Sequence, residues 1–584
     1  MGRLQKKLDF TLPERSKPGK GSFDFRTSAV ERWVEELPLG NTGETAKRLY
    51  EALQEVNQLE ISWKDRLALL ERFRQPVAYV QDSLWRHYTG MPLPLPPKTQ
   101  RIANLAQATY SEMAMGYKIA LLDALSGLLS PNQGSLRQLL HRAIRYLSQA
   151  MLTCYQTYAP HPKGSWLELH QLYLFALDKD IHQEAVEDPF DTQMPKSSIA
   201  KVYKQILLLA LASPYRLRQS EAENIYHALV RWTGHVHILP YDHPEASEAL
   251  FVVHTDSDEA PDYQAFDHRD CDSAHCTLVD TRQLSQVLQE EYQQMGEDKL
   301  LGLLSRVQVF RLICAWGNAP KREFERANSD GMVEIVVGTT MLHHALAMEL
   351  GEEEMIHQRA SYQSKAVPNV NASHRDDIWN LFASNKVQRE YEQYAKKQLK
   401  QRAADEVATK APPKLQTQHW QLHNQSTGGY RLSIGDAQEC KIQVGELIGL
   451  RHTSDEPTWQ VGVARWLRQS EERGLEIGVQ ILAPEARPAM VKNEKSRGRA
   501  GELQYALLLP ETTEPKQPPT IITPTLLFQP GNELQLHLPG EQASLRLEES
   551  IQDSTTFIQF RYSIEDGQHA TPRAHELGDL WDQL

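Results

Sequence analysis

No stretch of the sequence approaches the roughly 20 consecutive apolar residues that a membrane helix requires. The densest run, Ile206 to Ala212 (ILLLALA), is far too short to span and reads as a buried helix. The N-terminus, MGRLQKKLDFTLPERSKPGK, carries scattered basic residues with no apolar core behind them, so it lacks the form of a secretory signal. A cytoplasmic location with no membrane span is the expectation. Cysteine is scarce: Cys154, Cys271, Cys276, Cys314 and Cys440 are an odd set of five with no framework spacing. That pattern suits thiols that stay reduced, and no disulfides are expected. Basic charge is in deficit, with 63 Lys and Arg against 76 Asp and Glu and a net charge of -13. Such a surface repels the phosphate backbone, which argues against a nucleic-acid polymer as partner and confines any nucleotide site to a local patch. Walker A loops, G-x-S-x-G elbows, C-x-x-C knuckles and H-E-x-x-H helices are all missing, which turns the reading away from the familiar nucleotidases, hydrolases and zinc enzymes. The chain is expected not to be an enzyme.

What is present is ordinary globular material, 40% apolar and 24% charged over 584 residues, too long for one core and therefore several packed units. From Ala29 to Trp232 the helical period dominates: Ile102, Leu105, Tyr110, Met113, Tyr117 and Leu121 recur at three- and four-residue steps. Breaks at Gly90 to Pro97, Pro131 to Gly134 and Ala159 to Gly164 divide the region into helical hairpins. Gly164 to Ala176 has a faint tetratricopeptide-like spacing, but an amphipathic core helix is the better reading without a repeat. A short strand-like run at Leu250 to His254 and an acidic loop follow, and then helix returns over Thr281 to Val309. From about Met332 the pattern alternates, in VEIVVG, YRLSI, KIQVGELIGL, WQVGVARWL and LEIGVQIL.

The expected organisation is a polar tail over 1–28, an all-helical domain over 29–235 and a mixed connecting region over 236–320. A β-barrel then draws on 321–345 and 416–495, with a helical or disordered insertion over 346–415. A β-rich segment over 496–565 and an acidic tail over 566–584 complete the chain.

Arg322 and Arg326 form an R-x-x-x-R pair just before the first of the β-runs. Alone, such a pair is most simply a solvated helix face. Asn424 to Tyr430 (NQSTGGY) reads N-x-S-x-x-G at the end of a strand, and is by itself an ordinary turn. Motif order, the arginine pair and the downstream strands agree, however, and together they resemble the PilZ family over Arg322 to Ala345 and Gln416 to Val491. The resemblance departs from the family where the insertion separates the two motifs, which a short connection normally joins. The resemblance, joined to the helical period upstream, gives an α+β chain: a helical N-terminal region of helical hairpins, followed by a PilZ-like antiparallel β-barrel interrupted by a helical insertion. It also implies a bacterial receptor for the second messenger cyclic di-GMP, clasped between the arginine segment and the barrel surface. By that resemblance Arg322 and Arg326 take guanine and phosphate, which suit the planar guanidinium fork. Asn424 and Ser426 would orient the ligand, and Gly429 would bring backbone close to it. No cofactor is implied; a protein partner is expected on the helical region, and the oligomeric state, homo-oligomer included, stays open.

The segment Asp267 to Cys276 (DHRDCDSAHC) gathers possible metal ligands, but its two cysteines are five residues apart. An acidic surface loop without metal is the expectation. His343 and His344 have no nucleophile placed against them, and no catalytic residue is expected.

Overall fold

The computed structural model describes residues 8–564, except 128–130, 192–193, 268, 270, 297–299, 318–326, 353–354, 356–414, 436–439, 454–457, 497, 514–515 and 555. The expected insertion, beyond the helix at its start, and the acidic tail lie outside the described residues. The chain divides into two units, Met1–Met91 with Leu95–Arg322, and Pro92–Pro94 with Glu323–Leu584.

The first unit carries α1 (Thr27–Glu35), α2 (Thr42–Asn57), α3 (Trp63–Tyr88), α4 (Pro97–Ser126), α5 (Gln133–Gln156), α6 (Ser165–Asp178), α7 (Ile199–Leu211), α8 (Gln219–Trp232), α9 (Arg282–Gln294) and α10 (Arg306–Gly317). Several starts fall where the sequence supplies side-chain caps. Asn41, Ser62, Asn132 and Ser198 each accept a hydrogen bond from a backbone N–H in the first turn of α2, α3, α5 and α7, satisfying donors that a helix start leaves orphaned. The Pro/Gly breaks coincide with the α3–α4, α4–α5 and α5–α6 connections. The ILLLALA run lies on α7, where Ile206, Leu207, Leu208 and Leu209 are fully buried. Its apolar residues thus belong to a core on several sides of the helix, as expected. Within this core Asp188 is buried between two arginines: Arg142 Nη1 donates to Oδ2 at 2.8 Å and Arg74 Nη2 donates to Oδ1.

Small sheets complete the unit. β1 (Ala185–Glu187) pairs with β2 (Lys196–Ser198), and β3 (His237–Pro240), β4 (Phe251–His254), β5 (Asp262–Tyr263) and β6 (Cys276–Asp280) form one antiparallel sheet in the order β3-β6-β4-β5. Cys271 and Cys276 are joined as a disulfide. This corrects the expectation of none: a tight loop at the start of β6 brings the two sulfurs together, a proximity their sequence spacing does not reveal.

The second unit is built from two closed antiparallel barrels. The first comprises β7 (Ala327–Val337), β8 (Gln418–Ser426), β9 (Gly429–Ile434), β10 (Leu447–His452), β11 (Gln460–Ser470) and β12 (Gly474–Ala483), closed in the order β10-β11-β12-β9-β8-β7. The second comprises β13 (Arg487–Lys492), β14 (Gln504–Leu509), β17 (Thr520–Pro524), β18 (Glu533–Leu538), β19 (Glu541–Asp553) and β20 (Phe557–Ile564), while the short β15 (Thr512–Thr513) and β16 (Lys516–Gln517) form a side hairpin. Arg487–Lys492, grouped with the first barrel in the sequence reading, pairs instead with β14 and β18. Closure removes the exposed edges that would otherwise template aggregation.

A helix, α11 (Thr339–Glu349), follows β7 and packs on both barrels. Its Leu342, Ala345 and Leu346 join Leu447, Val461 and Val463 of the first barrel and Leu507, Ile522 and Phe557 of the second in one buried cluster. His343 and His344 are buried on the same helix, the first bonded to the Ala489 carbonyl at 3.1 Å and the second to the Tyr505 hydroxyl at 3.2 Å. These histidines serve packing between α11 and the second barrel.

Candidate functional site

β8 and β9 form a hairpin in which Ser426 pairs with Gly429, leaving Thr427 and Gly428 as a two-residue turn. A connection that short fixes the register. It sets Gln425 opposite Tyr430 and Asn424 opposite Arg431. On the other side of β8, Ala327 of β7 pairs with Gln425 and Asn328 with Asn424. The same row continues through Gly478 of β12 to Trp466 of β11. Directly opposed residues share a sheet face, so Asn328, Asn424, Arg431 and Trp466 stand on one side. The next row, Leu422, Leu432, Ile477 and Leu467, is buried inside the barrel. The Asn424 row therefore lies on the outer wall.

A register shift between Leu422 and Asn424 leaves His423 as the extra residue of a bulge, a device that re-aims neighbouring side chains. His423 Nε2 lies 2.7 Å from the Ser433 hydroxyl. Ser426 Oγ donates to the Gly429 carbonyl at 3.3 Å, and the Gly428 carbonyl accepts from Ile481 N–H at 3.1 Å, so the hairpin is seated on β12. Gly429 is required there: a Cβ at this position would lie 2.1 Å from the Val479 carbonyl oxygen. Gly478 likewise leaves the space that the Trp466 indole fills, since its Cβ would meet Nε1 at 1.8 Å.

The charges along this wall are paired, with two guanidinium groups on one carboxylate at Glu476. Arg431 Nη2 donates to both carboxylate oxygens of the buried Glu476, at 3.1 and 3.0 Å, and Arg473 reaches the same carboxylate at 3.3 Å. Arg451 donates to Glu334 at 2.6 Å and lies over the Trp459 ring at 4.6 Å. Burial tends to raise the Glu334 carboxyl, but hydrogen bonds from Arg451 and Thr417 outweigh it and hold the group below its ordinary range. Tyr430 donates to Gln460 at 3.1 Å and packs edge-on against His452 at 5.5 Å; burial pushes its phenol up, and the bond to Gln460 opposes that.

Asn424, Ser426 and Gly429 are thus brought together on one hairpin. Arg322 and Arg326 lie outside the described residues, which resume at Ala327. Covalent geometry alone keeps the Arg326 Cα within about 3.8 Å of that of Ala327. Arg431 was missed in the sequence reading, although the two-residue turn itself implies that it faces Asn424.

A family model described as "Cyclic-di-GMP receptor FimW, middle PilZ domain" matches residues 250–488, the stretch that holds both motifs and all six strands of the first barrel. This stretch carries a PilZ domain. The match begins upstream of the PilZ barrel and takes in β4, β5 and β6. Flanking matches are to "Cyclic-di-GMP receptor FimW, N-terminal domain" over 28–244 and "FimW C-terminal beta-barrel domain" over 489–564. The last begins within β13, the strand that opens the second barrel. Among curated proteins, the cyclic-di-GMP receptor FimW of Pseudomonas aeruginosa is 28% identical over 578 residues, covering 95% of this chain and 93% of the relative. No solved structure gives a significant match.

Proposed function

We propose that the chain is a cyclic di-GMP receptor that binds its ligand on the outer wall of the PilZ barrel, between the R-x-x-x-R segment and the N-x-S-x-x-G hairpin. The observation that carries this reading is the pairing of Ala327 with Gln425, which delivers the residue after Arg326 to the strand that carries Asn424 and Ser426. Cyclic di-GMP is a dianion with two guanine faces. Arg322 and Arg326 supply forked donors for guanine O6 and N7, a plane for stacking, and charge for phosphate. Arg431 is held by Glu476, which it shares with Arg473, and Arg322 and Arg326 bring two further positive charges for the phosphates. Asn424 and Ser426 add short hydrogen-bonding side chains, and Gly429 permits close backbone approach.

The relative's name, a cyclic-di-GMP receptor, agrees with this reading. The chain works as a sensor without catalytic residues or a cofactor. Residues 318–326, which carry both arginines, join α10 to β7. Occupancy at the barrel biases their arrangement, and through them a helical region that binds a protein partner, which is a population shift. Such a receptor acts where the messenger is made, in the cytoplasm. Titration calorimetry of the full chain with cyclic di-GMP, against GMP as control, tests the reading. Saturable binding that weakens with added salt is expected. Folded protein that gives no heat and no ligand-induced shift in melting would leave the barrel as a structural adaptor.

A further inference from the structure

His254 is the last residue of β4, Cys276 the first of β6, and the two are a direct cross-strand pair. Cys271 approaches from the loop before β6. The ligand atoms of these three residues all lie within 4.8 Å of one another. We infer that His254, Cys271 and Cys276, with Asp267 orienting the imidazole, form a zinc site when the two cysteines are thiols.

Three features carry this. First, His254 Nδ1 lies 3.5 Å from Cys276 Sγ, and Cys271 Sγ stands 3.9 Å from Nδ1 and 3.8 Å from Nε2. Zinc bonds of about 2.3 Å to sulfur and about 2.0 Å to nitrogen, at a tetrahedral angle, set those atoms about 3.5 Å apart. Second, the other ring nitrogen, Nε2, meets Asp267 Oδ2 at 2.5 Å. A carboxylate behind the ring fixes the tautomer that leaves the Nδ1 lone pair free on the side of Cys276 Sγ, as carboxylates behind ligating histidines do. Arg269 holds that carboxylate through its backbone N–H at 3.2 Å and Nε at 3.0 Å. Third, the His254 and Asp267 side chains are each only 8% exposed. A disulfide alone needs neither a buried imidazole nor a buried carboxylate beside it. Two of the ligands stand on paired strands, so reduction leaves them in place while the Cys271 loop supplies the small movement that parts the sulfurs.

The chemistry balances simply. A phosphine reduces the disulfide with one water, giving the phosphine oxide and two thiols. Each thiol gives up a proton as it binds, so one Zn²⁺ enters, two protons leave, and a fourth position stays open to water. The cysteine spacing alone argued against metal because the third ligand comes from 17 residues upstream of Cys271.

The full-length wild-type protein, reduced with a phosphine and desalted anaerobically, tests this with cobalt(II) as probe. The expected result is an intense near-ultraviolet thiolate-to-cobalt band with tetrahedral visible bands, saturating at one equivalent and erased by one equivalent of zinc. Prior thiol alkylation should abolish it. His254→Ala, Cys271→Ser and Cys276→Ser should each lower metal affinity by at least about 100-fold, and Asp267→Asn by about 10- to 100-fold. Reduced wild-type protein that shows no thiolate-to-cobalt band overturns the inference and leaves a plain disulfide. So does a folded Cys271→Ser or Cys276→Ser variant that keeps the full band.

Discussion

Ala327 on β7 and Gln425 on β8 are a direct antiparallel pair, although 98 positions separate them in the chain. The arginine pair therefore ends one residue from a strand whose next residue is Ser426. Replacing Arg322 or Arg326 by Ala removes a charge-assisted contact of roughly 1.5 to 3 kcal/mol, so cyclic di-GMP affinity should fall about 10-fold to more than 100-fold. Arg326→Lys should fail to rescue, because ammonium keeps the charge and loses the fork. Ser426→Ala should cost only about 1 kcal/mol. Calorimetry checks the affinities and circular dichroism the unchanged fold; wild-type affinity in both arginine variants would remove these residues from the site.

Gly429→Ala should damage the hairpin itself. The new methyl meets the Val479 carbonyl at 2.1 Å, and backbone cannot swing aside as a side chain can. A loss of about 1 to 3 kcal/mol is expected, read as a lower denaturant midpoint for the barrel with weakened ligand binding. An unchanged midpoint would mean that β12 yields freely at this point.

The helical unit should lose stability as pH falls. Burial holds His170 down at about 4, against its ordinary value of 6.5, with Nδ1 2.7 Å from the Tyr203 hydroxyl and Nε2 3.2 Å from the Glu259 carbonyl. The unfolded chain binds the proton more readily than the folded one. Stability is therefore full above about 6.5 and declines towards about 4. The loss amounts to about 3 kcal/mol from this group. Urea midpoints at neutral and mildly acid pH should differ less in His170→Gln than in wild type, and an equal difference would assign the effect elsewhere.

Asp188→Asn should destabilise the helical unit strongly. The carboxylate is 1% exposed and lies between Arg74 and Arg142; its loss leaves buried guanidinium charge uncompensated, which typically costs about 3 to 5 kcal/mol. Thermal unfolding of the variant provides the measurement, and a shift within error would show that water reaches the pair.

Residues 356–414 should be replaceable by a short flexible linker with the barrel intact. β7 pairs directly with β8, and α11 and Met355 pack against residues of the barrels. Loop length adds little closure entropy. A shortened chain that loses the barrel's circular dichroism signature would make the segment part of the core.

Much of this molecule follows from local chemistry. Proline and glycine breaks end the helices because they lack a donor or favour turns. Apolar periodicity distinguishes the helical region from the barrel strands, and the two-residue turn in NQSTGGY sets Asn424 opposite Arg431. Strand alternation, however, fixes which face a residue takes and says nothing about which strand lies beside it. Only the tertiary structure moved Arg487–Lys492 into the second barrel, where β14 and β18 offer it partners on both sides. It also joined Cys271 to Cys276 and set His254 against Cys276. Such pairings join distant segments, and what decides them is burial of a shared core and closure of strand edges, which no window of sequence contains.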